Sequence, residues 1–274
     1  MTRHSTGPTT WEPYPNETGG AVRLLVRHRV LSPELRNFRD VIVALPPDYD
    51  ETDRRYPVVY MQDGQNLFDP ATAYAGDWRL TATLSDLGER GFEAIVVGIP
   101  NAGVHRLREY SPFADRRRGG GQGDRYVRFI TDTLKPMVDR AFRTDPSRAA
   151  TSIAGSSMGG LISLYALFRR SDVFGAAAAL SPSLWFANRA IMTWLAEIRH
   201  YRPGRLYVDI GLDEPDSAVA DVRALRTLLT GLRPRAGVFE FDFVEDEAGA
   251  HDEATWGRRV TRALPFLLGV DPAD

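Results

Sequence analysis

Apolar positions along the chain follow two patterns, and each predicts one kind of β-strand. Residues 57–61 and 94–99 are apolar at almost every position, which is typical of central parallel strands covered on both faces. Residues 22–30 and 38–45 alternate apolar with charged positions, which predicts antiparallel strands with one solvated face. Further strands are predicted over residues 149–154, 175–180, 205–210 and 238–244.

Between the strands, apolar residues recur three or four positions apart, which is the spacing of a helix with one buried face. Helices are predicted over residues 78–90, 126–142, 158–170, 184–199, 218–232 and 253–268. Strands that alternate with helices predict an α/β protein with a doubly wound, mostly parallel sheet and helices on both faces. We expect one such domain over residues 21–270, preceded by a polar, turn-rich surface arm over residues 1–20.

Composition narrows the class of protein. The 274 residues are 43% hydrophobic and 26% charged, which is ordinary for a globular protein, and the net charge of −2 argues against nonspecific nucleic-acid binding. Cysteine is absent, so neither a disulfide nor a thiolate metal site can form. No apolar stretch is long enough to span a bilayer, and the N-terminus lacks a signal-peptide core. We expect a soluble, cytoplasmic protein without nucleic-acid or membrane partners; the oligomeric state stays open.

A Gly-x-Ser-x-Gly pattern at residues 155–159 lies between a predicted strand and a predicted helix. In that context the pattern is the nucleophile elbow of α/β-hydrolases, a sharp turn that exposes one serine hydroxyl. The hydroxyl would be that of Ser157, and the backbone N–H of Met158 would help to form an oxyanion hole. The alternative is a turn in which Ser156 or Ser157 only caps the helix.

A serine nucleophile needs a histidine to take its proton and a carboxylate to orient that histidine. In α/β-hydrolases the chain order is serine, acid, histidine. His251 fits this order, because it follows a predicted strand and precedes the last helix. The other histidines precede the serine or, like His200, precede the candidate acids. The loop after residues 205–210 offers Asp213, Glu214 and Asp216, and periodicity does not choose among them.

Several motifs resemble the "Putative esterase" family of α/β-hydrolases, which includes enterochelin esterases, feruloyl esterases, esterase D and the mycolyltransferase antigen 85. The resemblance covers about residues 22–268. It rests on residues 45–49 (LPPDY), 60–69 (YMQDGQNLFD), 108–112 (REYSP), 155–160 (GSSMGG), 211–214 (GLDE) and 249–251 (GAH), with Trp256.

This resemblance implies that Ser157 is the nucleophile, His251 the general base and acid, and Glu214 the acid of the triad. The family pattern at residues 211–214 departs from the usual one, since Leu212 replaces a common threonine and Asp213 is a second carboxylate. Asp213 therefore remains the alternative to Glu214 as the acid of the triad.

The resemblance also assigns residues around the cleft. The N–H of Gln65 would complete the oxyanion hole with that of Met158, while Asp63 and Gly64 shape the turn. The residues expected beside the substrate are Asp63, Gly64, Trp78, Arg108 and Tyr110. A further aromatic wall could come from Trp185 and Phe186. The Arg- and Gly-rich residues 116–123 are predicted to form a mobile surface or lid loop.

These expectations together describe a carboxylic ester hydrolase that works through an acyl-enzyme and needs no metal or organic cofactor. The substrate would be a small acyl, aromatic acyl or siderophore-type ester. Two alternatives remain: an acyltransferase that uses the same acyl-enzyme, and a non-catalytic binding module on a hydrolase fold.

Overall fold

The computed structural model describes residues 10–15, 20–232 and 239–269. These residues form a nine-stranded sheet, a separate two-stranded hairpin and helices on both faces of the sheet. The strands are β1 (Glu12–Pro13), β2 (Arg23–Ser32), β3 (Asn37–Leu45), β4 (Val58–Gln62), β5 (Ile95–Ile99), β6 (Ala114–Asp115), β7 (Gly119–Gly120), β8 (Thr151–Ser156), β9 (Ala176–Leu180), β10 (Arg205–Gly211) and β11 (Glu240–Asp246).

The helices occupy the connections that periodicity predicts. A π-helical segment, Phe129–Leu134, joins the third helix to the fourth. Within the sixth helix, Ala187, Asn188 and Arg189 have positive φ angles and form a kink. The α-helices are α1 (Leu80–Glu89), α2 (Arg106–Glu109), α3 (Gly123–Arg128), α4 (Lys135–Ala141), α5 (Met158–Arg169), α6 (Phe186–Glu197), α7 (Asp216–Gly231) and α8 (Glu253–Leu268).

The order of strands in the sheet is β1-β2-β3-β5-β4-β8-β9-β10-β11. The first three strands are antiparallel to their neighbours, and all pairs from β5 to β11 are parallel. This architecture confirms the predicted α/β-hydrolase fold with antiparallel N-terminal strands. Its parallel strands end at one edge of the sheet, where a cleft is expected.

The central strands are covered on both faces, which explains their continuous apolar sequence. In β4, Tyr60 packs in one core cluster while the neighbouring Val59 packs in the other. Helices α5 and α7 cover the first face, and α1 and α8 cover the second. Both cores are therefore closed by helices, and the carboxyl edge of the sheet is left for the loops that carry polar residues.

Part of the segment predicted as an N-terminal surface arm packs on the sheet. Glu12–Pro13 pairs with β2, and the buried Tyr14 donates a 3.2 Å hydrogen bond from its hydroxyl to Asp69. The prediction gave weight to the polar and turn-forming residues of this segment, whereas burial of the Tyr14 ring fixes it against the sheet. Residues 1–9, 16–19 and 270 of the predicted arm and domain lie outside the described residues, as does Val238 of the predicted last strand.

Within residues 10–15, 20–232 and 239–269, no helix is both long and apolar enough to cross a bilayer.

Candidate active site

The turn between β8 and α5 has the geometry of a nucleophile elbow. Ser157 takes φ 55° and ψ −120°, which is a strained conformation for a residue other than glycine. The two pattern glycines make room for β4, because a Cβ added to Gly155 or Gly159 would lie 2.7 or 2.9 Å from side-chain atoms of Gln62. The Gly-x-Ser-x-Gly spacing therefore serves close packing against Gln62 as well as the turn itself.

Three side chains from separate loops form one hydrogen-bonded chain. The Oγ atom of Ser157 lies 3.0 Å from Nε2 of His251, and Nδ1 of His251 lies 2.6 Å from Oε2 of Glu214. Ser157 follows β8, Glu214 follows β10 and His251 precedes α8. Parallel strands thus bring together, at one edge, the three residues that chain order and family resemblance selected.

The structure distinguishes the two neighbouring carboxylates. The side chain of Glu214 is 1% exposed and faces His251, whereas Asp213 is exposed to solvent. The tight turn after β10 causes this difference. Its Gly211 N–H donates to Oε1 of Glu214 at 3.1 Å, and the backbone of Asp213 binds the carbonyl of Gly249. Glu214, as expected from the family pattern, is the carboxylate in contact with the histidine.

Glu214 is held in its ionised form by its hydrogen bonds. Burial alone would raise the pKa of this carboxyl, but hydrogen bonds from His251, Ser181 and the Gly211 N–H outweigh it and place the pKa below its ordinary value. An ionised carboxylate only accepts hydrogen bonds, so Nδ1 of His251 carries a proton. Nε2 is then free to accept the hydroxyl proton of Ser157.

Ser181 was not selected from the sequence, yet its hydroxyl is saturated with hydrogen bonds. It donates to Oε1 of Glu214 and accepts from Nε1 of Trp256 at 3.2 Å and from Nη2 of Arg259 at 2.9 Å. The indole of Trp256 also packs edge-on against His251, with ring centroids 4.8 Å apart. A single hydroxyl therefore links the acid to the aromatic ring that contacts the histidine.

Arg259 supplies a buried positive charge behind this network. Its Nη1 donates to Asp209 at 2.8 Å, and its Nη2 lies 3.8 Å from Oε1 of Glu214. Burial raises the pKa of Asp209 to about 7, although Arg259 opposes that shift. One guanidinium thus lies beside two carboxyl groups, which reduces the electrostatic penalty of burying them together.

The loop after β4 carries the residues expected to form the oxyanion hole. Asp63 adopts a left-handed conformation with φ 54°. Gly64 is required for close packing, since an added Cβ would lie 2.5 Å from the backbone of Gly98. Two Arg106 nitrogens bind the two Asp63 carboxylate oxygens, at 2.8 and 2.7 Å, and the hydroxyl of Tyr110 accepts from the Asp63 N–H at 3.1 Å.

The same loop is tied to α8 on its other side. Glu253 accepts a hydrogen bond from Asn66 Nδ2 at 2.9 Å and from Trp78 Nε1 at 2.5 Å. Burial raises the pKa of Glu253, while the bonds from Trp78 and Asn66 act in the opposite direction. Since Glu253 lies two residues after His251, it connects the histidine loop with the predicted oxyanion loop.

The expected substrate-adjacent residues lie in different environments. Trp78 is only 2% exposed and packs against Trp256 in the core, and its place beside the substrate stays a prediction. Tyr110 is fully buried beneath Asp63. The side chain of Arg108 is exposed, and it is Arg106 that binds Asp63.

Ser183, in the loop after β9, contacts the nucleophile. The N–H of Ser183 donates to the Ser157 carbonyl at 3.0 Å, and the two Oγ atoms are 3.1 Å apart. Trp185 follows two positions later with 44% of its surface exposed, whereas Phe186 is buried. The sequence named Trp185 as a possible cleft wall but gave no sign of Ser183, because a serine after a strand is common in loops.

In the part of the chain that the structure describes, no three His, Asp or Glu side chains cluster closely enough to hold a metal ion.

Comparison with known proteins identifies the family of the chain. The fold and the serine-centred loop arrangement define an α/β-hydrolase. The chain belongs to the "Putative esterase" family, whose sequence profile matches residues 32–267. The protein is accordingly a carboxylic ester hydrolase.

Individual relatives cover the chain to different extents. It is 29% identical over 246 residues to the uncharacterized protein YbbA of Bacillus subtilis, covering 84% of this chain and 93% of that one. It is 34% identical over 142 residues to the siderophore triacetylfusarinine C esterase of Aspergillus fumigatus, and the match covers 50% of this chain and 47% of that esterase. The structure of an enterobactin esterase from Shigella flexneri is similar in fold, with a TM-score of 0.72 at 21% identity. The match covers 89% of this chain and 58% of that esterase. These matches span only about half the length of the siderophore esterases.

Proposed function

We propose that the protein hydrolyses carboxylic esters through an acyl-enzyme formed on Ser157. The observation that carries this proposal is the chain of hydrogen bonds from Ser157 through His251 to Glu214, with distances of 3.0 and 2.6 Å. A serine hydroxyl is a poor nucleophile by itself, and this arrangement supplies both the base and the charge that stabilises the base after protonation.

In the first half of the reaction, Ser157 Oγ attacks the ester carbonyl carbon while its proton moves to Nε2 of His251. The carbonyl π electrons move to oxygen and give a tetrahedral oxyanion. When the carbon–oxygen bond of the leaving alcohol breaks, the alcohol oxygen takes the proton from His251. The acyl group stays on Ser157, and Glu214 remains an ionised hydrogen-bond acceptor throughout.

In the second half, water takes the place of the alcohol. His251 removes a proton from the water as it attacks the acyl-enzyme, and it then returns that proton to Ser157 as the acid leaves. Because His251 is 42% exposed on its side chain, water reaches it directly. No step needs a group beyond these residues, the ester and water.

The oxyanion would be held by the N–H groups of Met158 and Gln65. Met158 is the first residue of α5, where a backbone N–H has no partner inside the helix. Gln65 lies in the short helical turn of the loop that Arg106 and Glu253 secure from two sides. Each such donor typically contributes a few kcal/mol of transition-state stabilisation, about 3 kcal/mol in measured cases.

The relatives suggest the class of substrate. Proteins that match half of this chain or more include esterases of the siderophores triacetylfusarinine C and salmochelin, and a ferulic acid esterase shares the fold. We therefore propose a siderophore-type or aromatic ester as the substrate. The cytoplasmic location and the absence of nucleic-acid or membrane partners stay predictions from the sequence.

A fluorophosphonate probe tests the chemistry. We expect labelling at Ser157, with loss of 4-nitrophenyl ester hydrolysis in step with labelling. Ser183→Ala is the matched control, because it removes the neighbouring hydroxyl and leaves the nucleophile in place. Unchanged turnover by Ser157→Ala, or labelling of Ser183 in place of Ser157, would refute the proposal.

A further inference from the structure

An open cleft beside the candidate active site has no role in the chemistry described above. Its volume is about 530 Å³. One wall is the hairpin of β6 and β7, and the other is the segment that leads into the kink of α6. The residues that line it are Ala114, Asp115, Arg116, Arg117, Arg118, Trp185, Ala187 and Asn188.

The hairpin concentrates positive charge at this cleft. Arg116, Arg117 and Arg118 are consecutive and exposed. The one carboxylate in the cleft, Asp115, accepts the backbone N–H groups of Arg117 and Arg118 at 2.8 Å. These backbone bonds hold the pKa of Asp115 below its usual value. The Asp115 carboxylate thus binds the turn, and three exposed arginines line the cleft and give it a net positive charge.

Neighbouring acids pair with other arginines. Asp124, after the hairpin, forms ion pairs with Arg128 and Arg169. Asp221, which packs against the kink of α6, binds Arg189 at 2.6 Å. The positive charge of the hairpin is therefore not neutralised by these nearby acids.

The opposite wall is aromatic. The Trp185 ring is 44% exposed, and the guanidinium carbon of Arg118 lies 4.9 Å from the ring centroid. Phe186 lies beneath it and contacts the hairpin at Gly120, where a Cβ would come within 3.0 Å of the Phe186 ring. An indole face next to guanidinium groups suits a flat, negatively charged ring, because it offers stacking and charge pairing together.

The hairpin is fixed at its base, although the sequence predicted a mobile lid loop. The N–H groups of Gly121 and Gly123 both donate to the Ser111 carbonyl at 2.9 Å, and the N–H of Gln122 donates to the Arg108 carbonyl at 3.0 Å. The three arginines are therefore presented from an anchored turn.

The cleft lies within reach of the nucleophile. Ser183 Oγ is 3.1 Å from Ser157 Oγ, and Trp185 is two residues further along the chain. Two residues span at most about 7 Å, which is close to the length of one substituted aromatic ring. The backbone that carries Trp185 is therefore separated from the residue beside the nucleophile by no more than about the length of one aromatic ring.

We propose that this cleft binds a negatively charged aromatic group of the substrate, directly attached to the scissile ester. The proposal rests on the proposed esterase function and chooses among its substrates: anionic aromatic esters are preferred over neutral ones. Arg116, Arg117 and Arg118 are the specificity-determining residues, and Trp185 is the stacking surface.

Two matched pairs of esters test the charge preference on either side of the ester bond. The first pair is 4-acetoxybenzoate and 4-acetoxybenzamide; the second is monomethyl terephthalate and methyl 4-carbamoylbenzoate. We expect wild-type kcat/KM to favour the anion in at least one pair by about tenfold, because exposed charge pairs are individually weak. The preference should fall as salt is raised, since screening weakens exposed interactions.

The variant Arg116→Gln/Arg117→Gln/Arg118→Gln should abolish the preference by lowering kcat/KM for the anionic ester to that of its neutral partner. Its control is Arg90→Gln/Arg140→Gln/Arg226→Gln, which removes the same charge from exposed positions on other elements. Trp185→Ala should raise KM for the preferred aromatic ester, and Trp185→Phe should restore it.

The outcomes separate the two proposals. An enzyme that cleaves the neutral esters but shows no preference for the anions overturns the cleft assignment alone. So does a preference that survives in the triple variant, or one that the control variant loses equally. If no ester is cleaved, 4-nitrophenyl acetate included, the proposed function fails and the cleft assignment fails with it.

Discussion

The hydroxyl of Ser181 donates a hydrogen bond to Oε1 of Glu214, the carboxylate oxygen that His251 does not contact. The two oxygens of Glu214 thus have separate roles. Oε2 faces His251, while Oε1 is fixed by Ser181 and by the N–H of Gly211. Because both oxygens are held, the carboxylate cannot rotate away from the histidine without breaking buried hydrogen bonds.

Ser181→Ala should lower kcat about tenfold and destabilise the fold by about 1–3 kcal/mol, because Nε1 of Trp256 and Nη2 of Arg259 lose the buried hydroxyl that accepts their hydrogen bonds. The measurements are ester hydrolysis and urea unfolding. Ser163→Ala is the control, since the Ser163 hydroxyl is buried without a hydrogen-bond partner and its removal should not lower stability. Equal effects of the two substitutions would contradict the role assigned to Ser181.

Glu214→Gln should lower kcat by roughly 10²–10⁴-fold, the range expected when the group that orients a catalytic histidine becomes neutral. Asp213→Asn should change kcat less than about twofold, because exposed substitutions away from such contacts have small effects. KM should change little in either variant. Steady-state kinetics on one ester is sufficient, and a larger loss in Asp213→Asn would exchange the two assignments.

The same carboxylate makes a pH-dependent contribution to stability. Hydrogen bonds place the folded-state pKa of Glu214 below its ordinary value. The unfolded chain therefore binds a proton first as the pH falls. The contribution of ionised Glu214 is complete above the unfolded pKa of about 4.3 and is lost as the pH falls through the folded pKa. The difference in unfolding free energy between wild type and Glu214→Gln should be constant above about pH 6 and shrink below about pH 4. A difference that grows on acidification would contradict the direction of this shift.

The sequence predicted the parts of the site that depend on local pattern and chain order. Ser157 was recognisable from its strand-turn-helix context, and His251 from its position after the last strand. The choice between Asp213 and Glu214 required the family pattern, because the adjacent carboxylates differ only in how the turn after β10 directs them. The burial of Trp78 could not be predicted, because an apolar ring at a helix start suits a cleft wall and a core equally well.

The residues behind the site were beyond prediction for a different reason. Ser181 and Arg259 are 78 positions apart, and neither has a distinctive neighbourhood in the sequence. They meet because β9 and α8 pack together, with Asp209 contributed by β10. Such a contact depends on three-dimensional packing, whereas the central strands could be read from their apolar runs alone.

Glu253→Gln should lower kcat about tenfold with little change in KM. Asn66 and Trp78 each donate to a different oxygen of Glu253, and glutamine replaces one of these two oxygens with an NH₂ group that cannot accept. The loop that carries Gln65 would then lose an anchor, and oxyanion stabilisation acts mainly in the transition state. Glu247→Gln, an exposed change in the loop before His251, is the control. A rise in KM with unchanged kcat would instead place Glu253 in substrate binding.

Gly159→Ala should destabilise the fold by about 1–3 kcal/mol and reduce esterase activity, since the new methyl group would lie 2.9 Å from Gln62 and 3.3 Å from the Asp63 carboxylate. Relief of this contact must move either the elbow or the loop before Gln65, and both carry predicted oxyanion donors. Gly231→Ala, at the end of α7 with no atom within 4 Å of the added Cβ, should instead stabilise the fold by about 0.4–1 kcal/mol. Thermal unfolding and 4-nitrophenyl acetate hydrolysis measure both variants. If Gly159→Ala retained wild-type stability and turnover, close packing of the elbow against β4 would not be required for the site.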